Sequence, residues 1–403
     1  MNARVETSQP ASDGVSSATP PAEGRVLCHV VNGVAVLTLD RPHALNALSH
    51  AMIRALAEHV ERCRNDDGIV ALVLRGSGEK GFCAGGDVRA LYRAATAGRV
   101  DGEDGWRQFF IDEYRLDFAL HAFPKPIVAL ADGIAMGGGM GLAQAASLRV
   151  ATERSKIAMP ETRIGFVPDV GATRFLSVMP ADLSLYVGLT GAVLSGADAV
   201  RCALADVCVP SDWLQGFEER LASLPASQVR ERLREVFVPP AAAGTSAPPA
   251  AIDALLPAIG RHFDAGLRAD EMAASLASAL GAEPAAPLKA WLQTALDALQ
   301  GYSPTMLHVT REAILRGRAI TLADAYRMEL DIASRAIEEG DFREGVRAHL
   351  VDKDRAPCWQ PAALAQVRPE RVAHFLTSPW TNDAHPLSDL GALPLGRASQ
   401  LPS

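Results

Sequence analysis

Two stretches of this chain repeat one plan, and that repetition constrains the fold more than any other feature. IVALVLRG (69–76) is an apolar run that leads into GFCAGGDVRALYRAA (81–95), a glycine loop opening a helical pattern. PIVALAD (126–132), GIAMGGG (133–139) and MGLAQAASL (140–148) follow in the same order. A looser third copy runs through RVAT (149–152), KIAMP (156–160) and the segment after it. Strands apolar along their whole length are buried on both faces. Strand, loop and helix repeated in this way predict one α/β domain of stacked units over 25–215.

The flanking sequence fills in the rest. RVLCHVV and VAVLTLD flank Asn32-Gly33, a strong hairpin signal. Leu48, Met52, Ile53, Leu56 and Val60 predict a helix over 46–64. Residues 216–302 are Ala-rich and Pro-interrupted and predict a helical insert, with PPAAAGTSAPPAA (239–251) as an exposed linker. Helical patterns dominate 303–360, and the Pro-rich tail 361–403 is expected to be loosely ordered. The arm 1–24 has no apolar segment and little basic charge; it is expected to be disordered and to be neither signal nor transit peptide. Residues 126–148 are long and apolar, but Pro126, Asp132 and the glycines break them, so no membrane span is expected. Six cysteines (28, 63, 83, 202, 208 and 358) without close pairing read as free thiols, and the expected location is cytoplasmic.

Composition and motif tests exclude several functions. A formal net charge of −8 argues against nucleic-acid binding. The dinucleotide pattern fails, because from Gly137 its third glycine falls on Leu142 and from Gly139 on Gln144. No phosphate-binding P-loop, serine elbow or paired-histidine metal motif is present. What remains is CAGGD and MGGGM, loops that end a strand and open a helix. N–H groups at a helix start lack partners and lie at the positive end of its dipole. Two such loops side by side would hold a carbonyl oxygen as it becomes negative; equally, the glycines could serve close packing alone. AMPETRIGFVPDVGAT (158–173) sets Glu161 and Asp169 in an apolar loop that proline and glycine keep from being helical, either as solvated acids or as a working pair. Cys83 has no visible partner base and reads as a small packed residue.

RPHALNAL (41–48), GFCAGGDV (81–88), ADGIAMGGGMGLA (131–143) and MPETRIGFVPDVGAT (159–173) resemble, in order, the motifs of the crotonase or enoyl-CoA hydratase/isomerase superfamily. FFIDEY (109–114), PETRIGFVPDVG and GDFREGVRAHLVDKDRAPCW (340–359) are similar to its 3-hydroxyisobutyryl-CoA hydrolase branch. The resemblance implies an α/β, crotonase-like spiral of repeated ββα units with a C-terminal helical region that covers the CoA pocket. It puts the oxyanion hole at the N–H groups of Ala84 and Gly138, and the thioester between Glu161 and Asp169. Glu161 would be nucleophile or general base, and Asp169 would bind the substrate hydroxyl or manage a proton. Glu113 maps beside the substrate, with an exposed helix acid as the bland alternative. The hydratases' first glutamate falls on Gly141, which carries no acid and weighs against hydration.

The implied reaction is hydrolysis of a short, branched 3-hydroxyacyl-CoA, 3-hydroxyisobutyryl-CoA of valine breakdown being the best candidate. No cofactor or metal is expected, coenzyme A being part of the substrate. Arg41, Lys80 and Arg89 are candidates for its phosphates or simply surface cations. The superfamily's C-terminal helices often mediate assembly, which leaves a homo-oligomer open. The alternatives are an enoyl-CoA hydratase or isomerase, and a non-catalytic acyl-CoA-binding protein.

Overall fold

A computed structural model of the chain describes residues 23–97, 105–240, 249–282 and 285–391. The expected arm, apart from its last two residues, therefore lies outside the described residues. So do 241–248 of the expected linker and the tail beyond 391.

Asn32 and Gly33, at φ +49° and +81°, turn β1 (Arg25–Val31) back onto β2 (Val34–Asp40), with Val31 opposite Val34. Ser49 caps α1 (His50–Asn65) by accepting from Met52 N–H, so the helix begins a turn later than predicted. Each repeat then supplies a long and a short strand. The first gives β3 (Ala71–Gly76), β4 (Gly81–Cys83) and α2 (Val88–Ala97). After α3 (Gly105–His121), the second gives β5 (Ile127–Ala131), β6 (Ile134–Met136) and α4 (Gly138–Gln144). The third gives β7 (Leu148–Thr152) and β8 (Lys156–Ala158), closed by a 3-10 turn, Glu161–Ile164, in place of the helix.

The long strands form a six-stranded sheet ordered β1-β2-β3-β5-β7-β9, the last being Val207–Val209 and every pair but the first parallel. The short strands form a separate parallel sheet, β4-β6-β8. The expected spiral of ββα units is thus realised, and all three short strands end on the same side.

Alternation along the long strands explains their unbroken apolarity. Ala35, Leu37, Leu72 and Ala129 face one core with α1 and α3, whereas Val36, Val73, Val128 and Val150 face another. The second core is closed by Phe217, Leu221, Leu233 and Phe237, from helices Phe217–Ser223 and Val229–Phe237. The boundary drawn at residue 215 from composition therefore cuts through a packed layer. Helix Leu322–Glu338 packs on α3, and residues 342–351 pack on α2 and on the 3-10 turn. The expectation of a loose tail is corrected for 361–391, where helix Pro369–Phe375 buries Phe375 and a following turn buries Leu387. Among the described residues, no helix is long and apolar enough to cross a membrane.

Candidate active site

A cavity of about 340 Å³ opens at the C-terminal ends of the three short strands, where ligands of open parallel sheets generally sit. Each repeat delivers one group to it. Gly86 follows β4, Gly138 follows β6 and Glu161 follows β8, all three lining the cavity with Glu113, Asp169 and Ala84. The predicted site residues are therefore brought together.

One of them cannot take its expected part. Ala84 donates its N–H to Leu45 O at 3.0 Å, so it is already satisfied. The cause is the segment 41–48, a 3-10 turn (Pro42–Ala44) with Leu45 and Asn46 left-handed, which lies against the glycine loop and bridges Gly86 through Leu48. Leu48 N–H donates to Gly85 O at 2.7 Å, and Asp87 N–H to Leu48 O at 2.8 Å. Asn46 fastens that segment further, giving its amide to Ser77 O and Gly81 O. Gly85, at φ +98°, bends the loop, and the N–H of Gly86 has no acceptor among the described residues. Gly86 N lies 3.5 Å from where a Cβ on Gly138 would stand, and Gly138 N–H, at the start of α4, is likewise unbonded. The N–H groups that face each other unbonded among the described residues are thus those of Gly86 and Gly138, while that of Ala84 is taken.

Glycine at this rim leaves room for the carboxyl groups of the acids, which approach closely. A Cβ on Gly138 would come within 2.4 Å of Glu113 Oε1, and one on Gly137 (φ +51°) within 2.9 Å of Glu161 Oε1.

The acids themselves are deeply buried. Glu113, on α3, is 3% exposed, so the exposed-acid alternative fails. Asp169 accepts from Tyr114 Oη at 2.6 Å. Burial first, then the charge of Asp169, holds the Glu161 pKa well above the usual carboxylate range. Burial also pushes Asp169 up to about 7, although the Tyr114 bond and a backbone bond act the other way. Glu113 is raised chiefly by burial, then by Asp169, Asp117 and Glu161.

Sequence reading missed several members of this cluster. Asp117 sits one helical turn after Glu113, fully buried and with neither oxygen bonded. Glu329 is fully buried beneath the turn that follows Asp169. The spacing of Glu113 and Asp117 was a usable signal, since residues four apart share a helix face; Glu329 offered none. Phe110, Phe166 and Phe342 line the cavity with stacked and tilted rings, and His349 and Leu350 complete its wall. Cys83 is fully buried, and burial pushes its thiol up to about 12, consistent with packing. Arg41 pairs with Asp87 at 2.9 Å and steadies the 41–48 segment. Among the described residues, no group of three His, Cys, Asp or Glu side chains could hold a metal ion.

The family model described as enoyl-CoA hydratase/isomerase matches residues 34–376. The chain belongs to that family. It is 36% identical over 373 residues to "3-hydroxyisobutyryl-CoA hydrolase, mitochondrial" of Gallus gallus, covering 89% of this chain and 90% of that one. The protein of the same name in Danio rerio is 35% identical over 362 residues, again with 89% and 90% coverage. The crystal structure of a carnitinyl-CoA dehydratase from Mycobacterium thermoresistibile superposes with a TM-score of 0.73 at 36% identity, covering 87% of this chain and 96% of that one. The fold and the resemblance to the hydrolase branch are thus as the motifs implied.

The expected cytoplasmic location is overturned by the same comparison, because both hydrolase relatives are named mitochondrial. Free thiols mark a reducing compartment without saying which one.

Proposed function

We propose that this protein hydrolyses acyl-CoA thioesters, with a short, branched 3-hydroxyacyl-CoA, best represented by 3-hydroxyisobutyryl-CoA of valine breakdown, as its substrate. The observation that carries this reading is two unbonded N–H groups, of Gly86 and Gly138, facing one cavity with Glu161 and Asp169 while position 141 has no acid.

In this reading the thioester oxygen lies against the two N–H groups, which stabilise it as it becomes an oxyanion. A single such donor is typically worth about 10²–10³ in rate. Glu161 either adds to the carbonyl carbon, forming a mixed anhydride, or takes a proton from a water that adds there. The C–S bond then breaks and the sulfur leaves as thiol, its proton coming ultimately from water. Water's hydroxyl ends on the acyl carbon and Glu161 returns as a carboxylate. With a pKa of about 7, Asp169 exists in both protonation states near neutrality. It can hold the substrate's 3-hydroxyl or pass a proton through its bond with Tyr114.

The test divides one purified sample. One aliquot receives 3-hydroxyisobutyryl-CoA with a thiol-detecting dye, and the other receives crotonyl-CoA while the enoyl absorbance is followed. Thiol release with little absorbance loss is the expected result. Absorbance loss without thiol would replace this reading by hydration, the activity class nearest to the dehydratase structure.

A further inference from the structure

We infer that Glu329 is a positioning residue for Asp169, an inference that rests on Asp169 serving the proposed reaction. The turn Asp169–Thr173 has an unusual backbone. Val170 has φ +55°, the left-handed region, which a β-branched residue avoids. Gly171 follows at φ +84°. A valine held there shows that surrounding contacts over-determine its conformation.

One carboxylate bonds the residues that follow Val170 in this turn, beside the bond of 2.9 Å from Ala172 N–H to Asp169 O within it. Glu329 accepts from Gly171 N–H at 2.7 Å on one oxygen, and from Thr173 N–H at 2.9 Å and Thr173 Oγ1 at 2.6 Å on the other. It is fully buried. Its helix, Leu322–Glu338, also brings Tyr326 against Tyr114, with ring centroids 5.5 Å apart. Tyr114 in turn donates to the Asp169 carboxylate. Asp169 is therefore held at its side chain by Tyr114, while Glu329 holds the turn that follows it.

A simpler role would be to satisfy the first N–H groups of the four-residue helix Ala172–Phe175. That role affects stability alone. Positioning additionally requires that the reaction suffer while the protein stays folded, since displacing a catalytic group by about 1 Å can cost about 10²-fold.

The experiment uses Glu329→Gln, Glu329→Asp and Thr173→Val in the full chain. Thiol release from 3-hydroxyisobutyryl-CoA, thermal unfolding and a crystal structure are obtained for each. Glu329→Gln sets an amide donor against the Gly171 or Thr173 N–H, and kcat per folded molecule is expected to fall about 10- to 100-fold. Glu329→Asp, which keeps the carboxyl oxygens as acceptors, should recover part of that loss. Thr173→Val removes only the hydroxyl bond and should give a smaller loss, and it decides the matter if Glu329→Gln does not fold. In the Glu329→Gln structure, Val170 should leave the left-handed region or Asp169 should part from Tyr114. An unchanged kcat in a folded variant, or an undisturbed Asp169, overturns the inference. If the wild type releases no thiol, the proposed function fails, and the position of Asp169 in the variant structures still decides whether Glu329 holds it.

Discussion

Gly141 stands where the resembled hydratases carry their first glutamate, and its surroundings prevent an acid from being restored there. A Cβ at this position would lie 2.5 Å from Asp117 Oδ2 and 2.8 Å from Val170 Cβ. Gly141→Glu should therefore create no hydratase and lower stability, overpacking alone costing about 1–3 kcal/mol. Crotonyl-CoA absorbance and a melting curve check both halves. A second expectation concerns pH. Glu161 must be ionised to act as nucleophile or base, and the charge of Asp169 is the second cause, after burial, of its raised pKa. Activity should thus rise with pH along a limb lying above the ordinary carboxylate range near 4. Asp169→Asn removes that charge, so the limb should move to lower pH while the maximal rate falls. A kcat/KM profile whose limb stays in place would show that Glu161 does not feel Asp169.

Among the elements, what was legible in the sequence was whatever depends on near neighbours. The Asn32-Gly33 hairpin, the long strands and the glycine loops follow from local periodicity and turn chemistry, and the structure has them, whereas the short strands inside those loops were implied only by the family resemblance. The acids Glu113, Glu161 and Asp169 were found because motifs carried them. The choice of Gly86 over Ala84 was not legible, because it depends on the 41–48 segment lying against the loop and consuming one N–H. Nor was the order of residues 361–391, where prolines obscure a helix whose Phe375 is fully buried. Phe375→Ala should cost about 3–5 kcal/mol, read by urea unfolding.

Over the whole molecule, burial opposes ionisation at the centre. Glu113, Asp117, Glu161, Asp169 and Glu329 all have raised pKa values, burial being the first cause for each. Below its folded pKa such a group is neutral in the fold, yet it ionises near pH 4 once unfolded, which favours unfolding as pH rises between the two values. Its destabilising effect is absent below about pH 4. It then grows until the folded group itself ionises, at about 7 for Asp169 and about 8 for Glu329. Asp117 is the informative case, since it is raised by burial, then by Asp169 and Glu329, and makes no hydrogen bond. Asp117→Asn should raise the melting temperature more at pH 8 than at pH 5. Equal shifts at both pH values would mean that Asp117 is ionised in the fold. The arrangement of the site has a further consequence for how the protein comes into being. Gly86, Gly138 and Glu161 come from successive repeats, while Glu329 bonds a turn 158 residues before it. A chain emerging from the ribosome thus carries Glu113, Glu161 and Asp169 well before it carries the helix whose Glu329 bonds the turn after Asp169.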